Sequence, residues 1–459
     1  MAAVPESSTV LNAIPSHGSA PTRRFHVAPG GTLRGEVRVP GDKSISHRAI
    51  MLGALAEGDT EVTGFLEGAD SLATLAAFRA MGVQIDGPEA GHVRIRGVGL
   101  HGLKAPGAPL DVGNAGTAMR LLCGLLAGQR FASTLVGDAS LSRRPMRRVT
   151  EPLARMGASI ETTAAGTAPL AIRPVPQLAA IDYVMPVASA QVKSCLLLAG
   201  LYADGETCVT EPAVTRDHTE RMLATFGCPV RREGAKVCVR GGSRLAAAPV
   251  AVPADISSAA FFLVGASIAE DADLTLPAVG LNPTRIGVLN VLEAMGARLD
   301  IANRHDSGAE PVADIRVRSA RLSGIEIPAD QVPLAIDEFP ALFIAAACAD
   351  GETLLTGAEE LRVKESDRIA VMAAGLAALG VETEVLPDGI RIQGRGDRPL
   401  GGGSIDSHGD HRIAMAFAMA ALRAEAPVLV QDCDNVDTSF PGFAVLAAGA
   451  GLGIEEQPA

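Results

Sequence analysis

Six basic side chains, Lys43, Arg144, Arg216, Lys364, Arg368 and Arg412, stand at or just before points where the sequence begins a helix. A helix start presents unpaired N–H groups and the positive end of the peptide dipole, so a cation there costs roughly a few tenths of a kcal/mol. Six such placements in an acidic chain need an outside partner, and a phosphate or carboxylate satisfies helix end and cation together. Arginine grips the planar oxygens of either group through paired hydrogen bonds, whereas Lys43 and Lys364 offer point charges. Several separated basic groups imply two anions. Asp337 and Glu365 lie beside these cations, where a carboxyl stays ionised near neutrality and is placed to move a proton. The chemistry indicated is proton transfer on small anionic reactants.

Capping accounts for Asp70, Ser71, Asp255, Ser257 and Thr438, at about 1 kcal/mol each. The helix-opening phrases Asp42-Lys43-Ser44, Asn114-Ala115-Gly116-Thr117 and Ser189-Ala190-Gln191 carry further polar and small residues. No nucleotide, metal or other cofactor is expected. In Gly41-Asp42-Lys43-Ser44 an aspartate separates glycine from lysine, which breaks a Walker phosphate cradle. His408, Asp410 and His411 match no zinc spacing, and Gly401-Gly402-Gly403 reads as a turn. The seven cysteines, odd in number and without a C-x-x-C pair, lie mostly in apolar runs such as Cys195-Leu-Leu-Leu, the setting of inert thiols in a reducing compartment.

Positioning these groups falls to a repeated element. An apolar helix ends at glycine and an extended segment follows at Gly82, Gly157, Gly227, Gly296, Gly380 and Gly451, at intervals of about 70 to 85 residues. Glycine suits a helix end because it adopts positive φ without steric cost. The spacing fits a βαβαβ unit, each with an earlier Ala- and Leu-rich helix and a short strand such as Thr60–Thr63 or Ser133–Val136. Six units divide into two lobes of three, one formed by residues 42–253 and the other by 26–41 with 254–459. The crossings lie near 40–42 and 252–255, in the similar phrases Val39-Pro40-Gly41-Asp42 and Val252-Pro253-Ala254-Asp255.

At 459 residues the chain exceeds one hydrophobic core. It is 47% apolar but only 3% aromatic, without Trp, so its cores must be aliphatic. The net charge of -12 opposes nucleic acid and anionic membrane as partners, since both need a basic surface to release counterions. Residues 1–25, rich in Pro, Ser and Gly, read as a flexible tail without the order of a signal peptide. With no run of about eighteen apolar residues, a cytoplasmic, soluble protein is expected.

The longest phrases are Pro40-Gly-Asp-Lys-Ser-Ile-Ser-His-Arg48, Gly113-Asn-Ala-Gly-Thr-Ala-Met-Arg120, Gly137-Asp-Ala-Ser-Leu-Ser-Arg-Arg-Pro-Met146, Ser189-Ala-Gln191, Leu361-Arg-Val-Lys-Glu-Ser-Asp-Arg368 and Asp410-His-Arg412. In these, from about residue 26 to 456, the chain resembles the 5-enolpyruvylshikimate-3-phosphate (EPSP) synthase family. The resemblance implies an α/β fold of two inside-out barrel-like lobes, three repeats each. It also implies a monomer that closes on shikimate 3-phosphate and phosphoenolpyruvate, in a reaction of aromatic biosynthesis that glyphosate inhibits. Lys43, Ser44, Arg48, Ser189, Ala190 (through its backbone), Gln191, Arg216, Asp337 and Lys364 would hold shikimate 3-phosphate. Lys43, Gly116, Arg144, Gln191, Arg368 and Arg412 would hold phosphoenolpyruvate. Asp337 would take the proton of the attacking 5-hydroxyl, Glu365 would protonate the methylene carbon, and Lys43 would complete the catalytic group. Thr438 stands where many members carry a lysine that contacts phosphoenolpyruvate. Ala190 and Leu121 lean toward glyphosate-tolerant members, while Gly116 is the residue of sensitive ones. The rivals are an enolpyruvyl transferase acting on UDP-N-acetylglucosamine and a phosphometabolite-binding protein without catalysis.

Overall fold

In the computed structural model, which describes residues 23–459, one motif recurs six times: helix, strand, second helix, then a pair of antiparallel strands, one of which the sixth copy takes from Arg23–Gly31. The first three helix pairs are α1 (Lys43–Leu55) with α2 (Ala69–Ala80), α3 (Gly116–Ala127) with α4 (Arg147–Arg155), and α5 (Ala190–Gly200) with α6 (His218–Thr225). The next is α7 (Ile256–Ile268) with α8 (Gly287–Ala294). After the single turn α9 (Val332–Ala335) come α10 (Phe339–Cys348) with α11 (Arg368–Ala378), and α12 (His411–Ala420) with α13 (Phe443–Ala450). All six glycines of the repeated phrase have positive φ, from 75° at Gly380 to 116° at Gly451.

The first helix of each pair is apolar on every side, which a helix tolerates only when surrounded. Accordingly α7 and α10 are buried at every residue. In α1, α3, α5 and α12 the residues that escape burial are Lys43, Ser44, Thr117, Ala190, Gln191 and Arg412, all in the opening turn. Helices thus fill the inside and sheets form the outside. The core helices approach closely: a Cβ on Gly124 of α3 would stand 2.0 Å from the carbonyl oxygen of Cys195 in α5.

The sheet of Leu110–Asp111, Ser133–Val136, Leu170–Arg173 and Ser159–Glu161 shows the unit's wiring. Its first two strands run parallel, and a hairpin then pairs antiparallel with the second. The unit is therefore βαβαββ, one strand more than the βαβαβ expected, because the hairpin's return strand supplies the hydrogen bonds that the second strand's other edge lacks. Sheets are mixed, and among the described residues none closes into a barrel.

Two apolar clusters form. One draws on residues between Phe25 and Val39 and between Ala254 and Ile454, the other on residues between Ile45 and Val252. Three sheets borrow a strand from far along the chain: Arg34–Glu36 pairs with Asp273–Gly280, Val250–Ala251 with Glu57–Thr63, and Arg23–Gly31 lies between Val428–Gln431 and Leu452–Pro458. Where the chain passes between clusters, the crossings bond to each other. Asp42 N–H donates to Pro253 and Asp255 N–H to Pro40, both at 2.9 Å.

Two further expectations need correction. The first strand begins at Arg23, so residues 23–25 belong to the fold rather than to a tail; Arg23 pairs with Asp437 at 2.8 Å and Glu456 at 3.2 Å. The rest of the expected tail lies outside the described residues. The cysteines are not all isolated: Cys208 and Cys238 form a disulfide. They are 30 residues apart and meet only through strand register, which local spacing does not reveal.

Candidate active site

Because the inner helices are buried except at their opening turns, those turns carry the polar groups of the cleft. Lys43 and Gly116 are the first residues of α1 and α3, Gln191 and Arg412 are the second of α5 and α12, and Arg368 opens the outer helix α11. Arg144, Arg216, Asp337 and Lys364 sit in the loops just before helices. Two adjoining cavities result. The larger, about 760 Å³, is lined by Ser189, Ala190 and the segment Ala213–Arg216 from one lobe and by Leu334, Ile336 and Glu359 from the other. The smaller, about 90 Å³, is lined by Lys43, Ser44, Gly116, Arg144, Glu365, Arg368 and Arg412. Gln191, Arg216, Asp337, Glu360 and Lys364 are walls of both.

Charge alternates across this cleft. Asp337 accepts from Arg216 at 2.5 Å and lies 3.2 Å from Lys364 Nζ and 3.5 Å from Arg368. Arg412 donates to the Asp337 carbonyl at 3.1 Å. Glu365 sits 2.6 Å from Arg368 and 3.4 Å from Arg144. Burial opposes the charge of both carboxyls, but the surrounding cations outweigh it and hold them well below the usual carboxylate range: Lys364 and Arg216 foremost for Asp337, Arg368 and Arg144 for Glu365. Arg144–Glu365, Arg216–Asp337 and Arg148–Glu360 (2.8 Å) join the two lobes across the cleft. His411 is kept neutral, its pKa driven well down by burial and by the charges of Lys43 and Arg412.

Eleven of the residues singled out in the sequence thus surround the smaller cavity, and Ser189 and Ala190 line the larger. Arg48 lines neither. It is buried, donating to Thr219 Oγ1 (2.7 Å), Ser194 Oγ (2.8 Å) and the Ser44 carbonyl (2.9 Å), and burial lowers its pKa to about 10. Thr438 is also buried, its hydroxyl donating to the Asn435 carbonyl at 2.6 Å.

Asp70 and Arg120 are among the cleft residues that escaped the sequence reading. Asp70 is not a cap: α2 has no side-chain cap, and Asp70 receives Lys43 Nζ at 2.7 Å. Burial pushes the Asp70 pKa up, against the pull of Lys43. Arg120, buried and lowered to about 10 by desolvation, donates to Gln191 Oε1 at 2.5 Å, while Gln191 donates to Thr117 at 3.0 Å. A charged residue on an otherwise apolar helix was the available signal.

Beneath the cleft, at the crossings, a buried network centres on Arg285. It donates to Asp42 (3.0 Å), Asp255 (3.2 Å) and Ser257 (2.6 Å). His218–Glu310 and Asn282–Asp217, both 2.7 Å, continue it between the lobes. Burial and the Asp42 charge raise the Asp255 pKa to about 6, whereas Arg285 overcomes burial to hold Asp42 well down.

Comparison with known proteins agrees with this architecture. The family model for EPSP synthase (3-phosphoshikimate 1-carboxyvinyltransferase) matches residues 27–445. The 3-phosphoshikimate 1-carboxyvinyltransferase of Alkalilimnicola ehrlichii is 69% identical over 430 residues, covering 94% of this chain and 96% of its own. That of Methylococcus capsulatus is 65% identical over 431 residues, covering 94% and 98%. An EPSP synthase structure from Acinetobacter baumannii superposes with a TM-score of 0.86 at 58% identity, covering 95% of this chain and all of the other. The enolpyruvyl transferase NikO from Streptomyces tendae shares the fold, with a TM-score of 0.79 at 17% identity and coverage of 95% and 99%.

Proposed function

The chain belongs to the EPSP synthase family, and from that premise we propose how its two cavities divide the work. The reaction is transfer of the enolpyruvyl group of phosphoenolpyruvate to the 5-hydroxyl of shikimate 3-phosphate, with release of inorganic phosphate, in the shikimate pathway. In our proposal the larger cavity holds shikimate 3-phosphate, its phosphate against Ser189, the α5 opening turn and Arg216. The smaller holds phosphoenolpyruvate among Lys43, Arg144, Arg368 and Arg412, over the Cβ-free face of Gly116. The observation that carries this is the shared wall: Gln191, Arg216, Asp337 and Lys364 face both cavities, so the reacting hydroxyl and the enol meet there.

The acidic side chains now paired with the cleft cations occupy the places of substrate anions. When the phosphate and carboxylate of the reactants take Arg144 and Arg368, Glu365 loses its counter-charge, its pKa climbs, and it gains the proton it delivers to the methylene carbon. The C2 carbon becomes electrophilic, the 5-hydroxyl adds to it, and Asp337 takes the hydroxyl proton. Loss of a methyl proton and of phosphate then restores the double bond. Cations fixed before the reaction begins supply the main stabilisation of charge in the transition state. Arg48 serves as a positioning residue, tying the opening of α1 to α5 and α6. The lobes 26–41 plus 254–459 and 42–253 act as the closing halves.

We place the protein in the cytoplasm as a monomer that binds neither nucleic acid nor membrane. Its net charge is -12, and no helix among the described residues is long and apolar enough to cross a membrane.

Phosphate release with both substrates tests the assignment. Asp337→Asn and Glu365→Gln should each lower kcat by about 10²-fold or more while leaving the fold intact. Release that depends instead on UDP-N-acetylglucosamine, or that survives both substitutions, would refute it.

A further inference from the structure

Outside the cleft lining, the sheet of Asp182–Val184, Glu206–Thr210, Lys236–Arg240 and Val230–Glu233 carries a sulfur pair on its outer face. Thr207, Val209, Val237 and Val239 turn inward and are fully buried. The alternate residues Cys208 and Cys238 therefore point outward, directly opposite each other on antiparallel neighbours, and are bonded. Arg231 on the next strand lies over them, with Nη2 3.3 Å from Cys238 Sγ and 3.9 Å from Cys208 Sγ. Its guanidinium is held by Glu206 at 2.6 Å and by Glu233.

The other cysteines have the opposite setting. All five are free and buried. Burial pushes the thiols of Cys123, Cys348 and Cys433 up to about 12 and raises those of Cys195 and Cys228 as well. Such thiols do not ionise near neutrality and are poor nucleophiles.

We propose that Cys208 and Cys238 form a reversible redox site, closed by hydrogen peroxide and reopened by a small dithiol. With the bond open, the Arg231 guanidinium stabilises a thiolate, the form that attacks peroxide. That attack breaks the O–O bond, giving a sulfenic acid and hydroxide, which takes up a proton. The second thiol then attacks the sulfenic sulfur and expels water, so two thiols and one peroxide become one disulfide and two waters. The cysteines have only 5% and 1% of their surface exposed, and access is through Arg231, whose side chain is 46% exposed and rests on exposed acids. The bond joins the strand Glu206–Thr210 to its neighbour, and that strand runs straight into the cavity wall Ala213–Arg216.

Glu206, Cys208 and Cys238 also place three ligand atoms within 4.8 Å of one another, but the guanidinium against both sulfurs opposes a cation there. The test starts from fully reduced protein exposed to hydrogen peroxide, followed by thiol titration, intact mass and peptide mapping. Two of the seven thiols should disappear, with a mass lower by two hydrogens and a 208–238 cross-link, and dithiothreitol should restore them. Cys208→Ser and Cys238→Ser should form no internal disulfide. Arg231→Gln, a surface change that leaves both sulfurs in place, should slow closure about tenfold. The proposal fails if the pair remains reduced, if another pair links, if Arg231→Gln reacts at the native rate, or if the reduced protein retains stoichiometric zinc.

Discussion

A methyl group at Gly116 would stand 3.0 Å from Nη1 of Arg144 and 3.4 Å from Nη1 of Arg120. One guanidinium must then move by a few tenths of an ångström, and Arg144 is already bonded to Asn114 at 2.6 Å and to Glu365. Gly116→Ala should raise the KM for phosphoenolpyruvate about tenfold, or about 1.4 kcal/mol, and leave that for shikimate 3-phosphate nearly unchanged; steady-state kinetics with each substrate varied in turn checks this. At this scale the cations were legible because each stood where a helix end offers no internal partner. The acids were legible only as neighbours of cations. Asp70 was not legible, since an aspartate in a first turn is satisfied by the helix itself, and only the packing of α1 on α2 gives it Lys43. Arg48 was legible through its motif alone, and its buried guanidinium is oriented by Thr219, Ser194 and the Ser44 carbonyl, which no local signal announces.

Helices α1 and α2 are joined by a buried imidazole as well as by the Lys43–Asp70 pair. His47 Nδ1 lies 2.7 Å from Thr74 Oγ1, and burial with the nearby Lys43 charge lowers its pKa to about 3. The unfolded chain takes up a proton near pH 6.5, whereas the folded chain does so only near 3. Acidification across that interval therefore favours unfolding, by up to about 1.4 kcal/mol per pH unit from this group. His47→Asn keeps a polar atom near Nδ1 without the titration, so its melting temperature should fall less steeply between pH 6.5 and 4 than that of the native protein. At the scale of elements the helix starts and six glycine ends were readable, because each is fixed by local backbone requirements. The antiparallel strand added beside each unit's second strand and the meeting of Cys208 with Cys238 were not, since both depend on which edge a strand finds.

The two halves of the molecule meet at Arg285, whose guanidinium is shared by Asp42 and Asp255 and lies 3.9 Å from Glu338. Arg285→Met keeps much of the side chain's bulk but leaves buried carboxylates without their cation, so the folded state should lose about 3–5 kcal/mol, measurable by urea unfolding. The six-unit plan was visible in the sequence as a repeated phrase, but this network was not, because its members come from six separate stretches of chain. The borrowed strands bear on how the protein is made. As it leaves the ribosome, the half between residues 42 and 252 is finished once Val250–Ala251 emerges to close its first sheet. Arg23–Gly31, synthesised some four hundred residues earlier than its partners, must wait for Val428–Gln431 and then Leu452–Pro458. Loss of Leu452–Pro458 would therefore strip one edge of Arg23–Gly31 of its hydrogen bonds, and the defect would appear more than four hundred residues from the break.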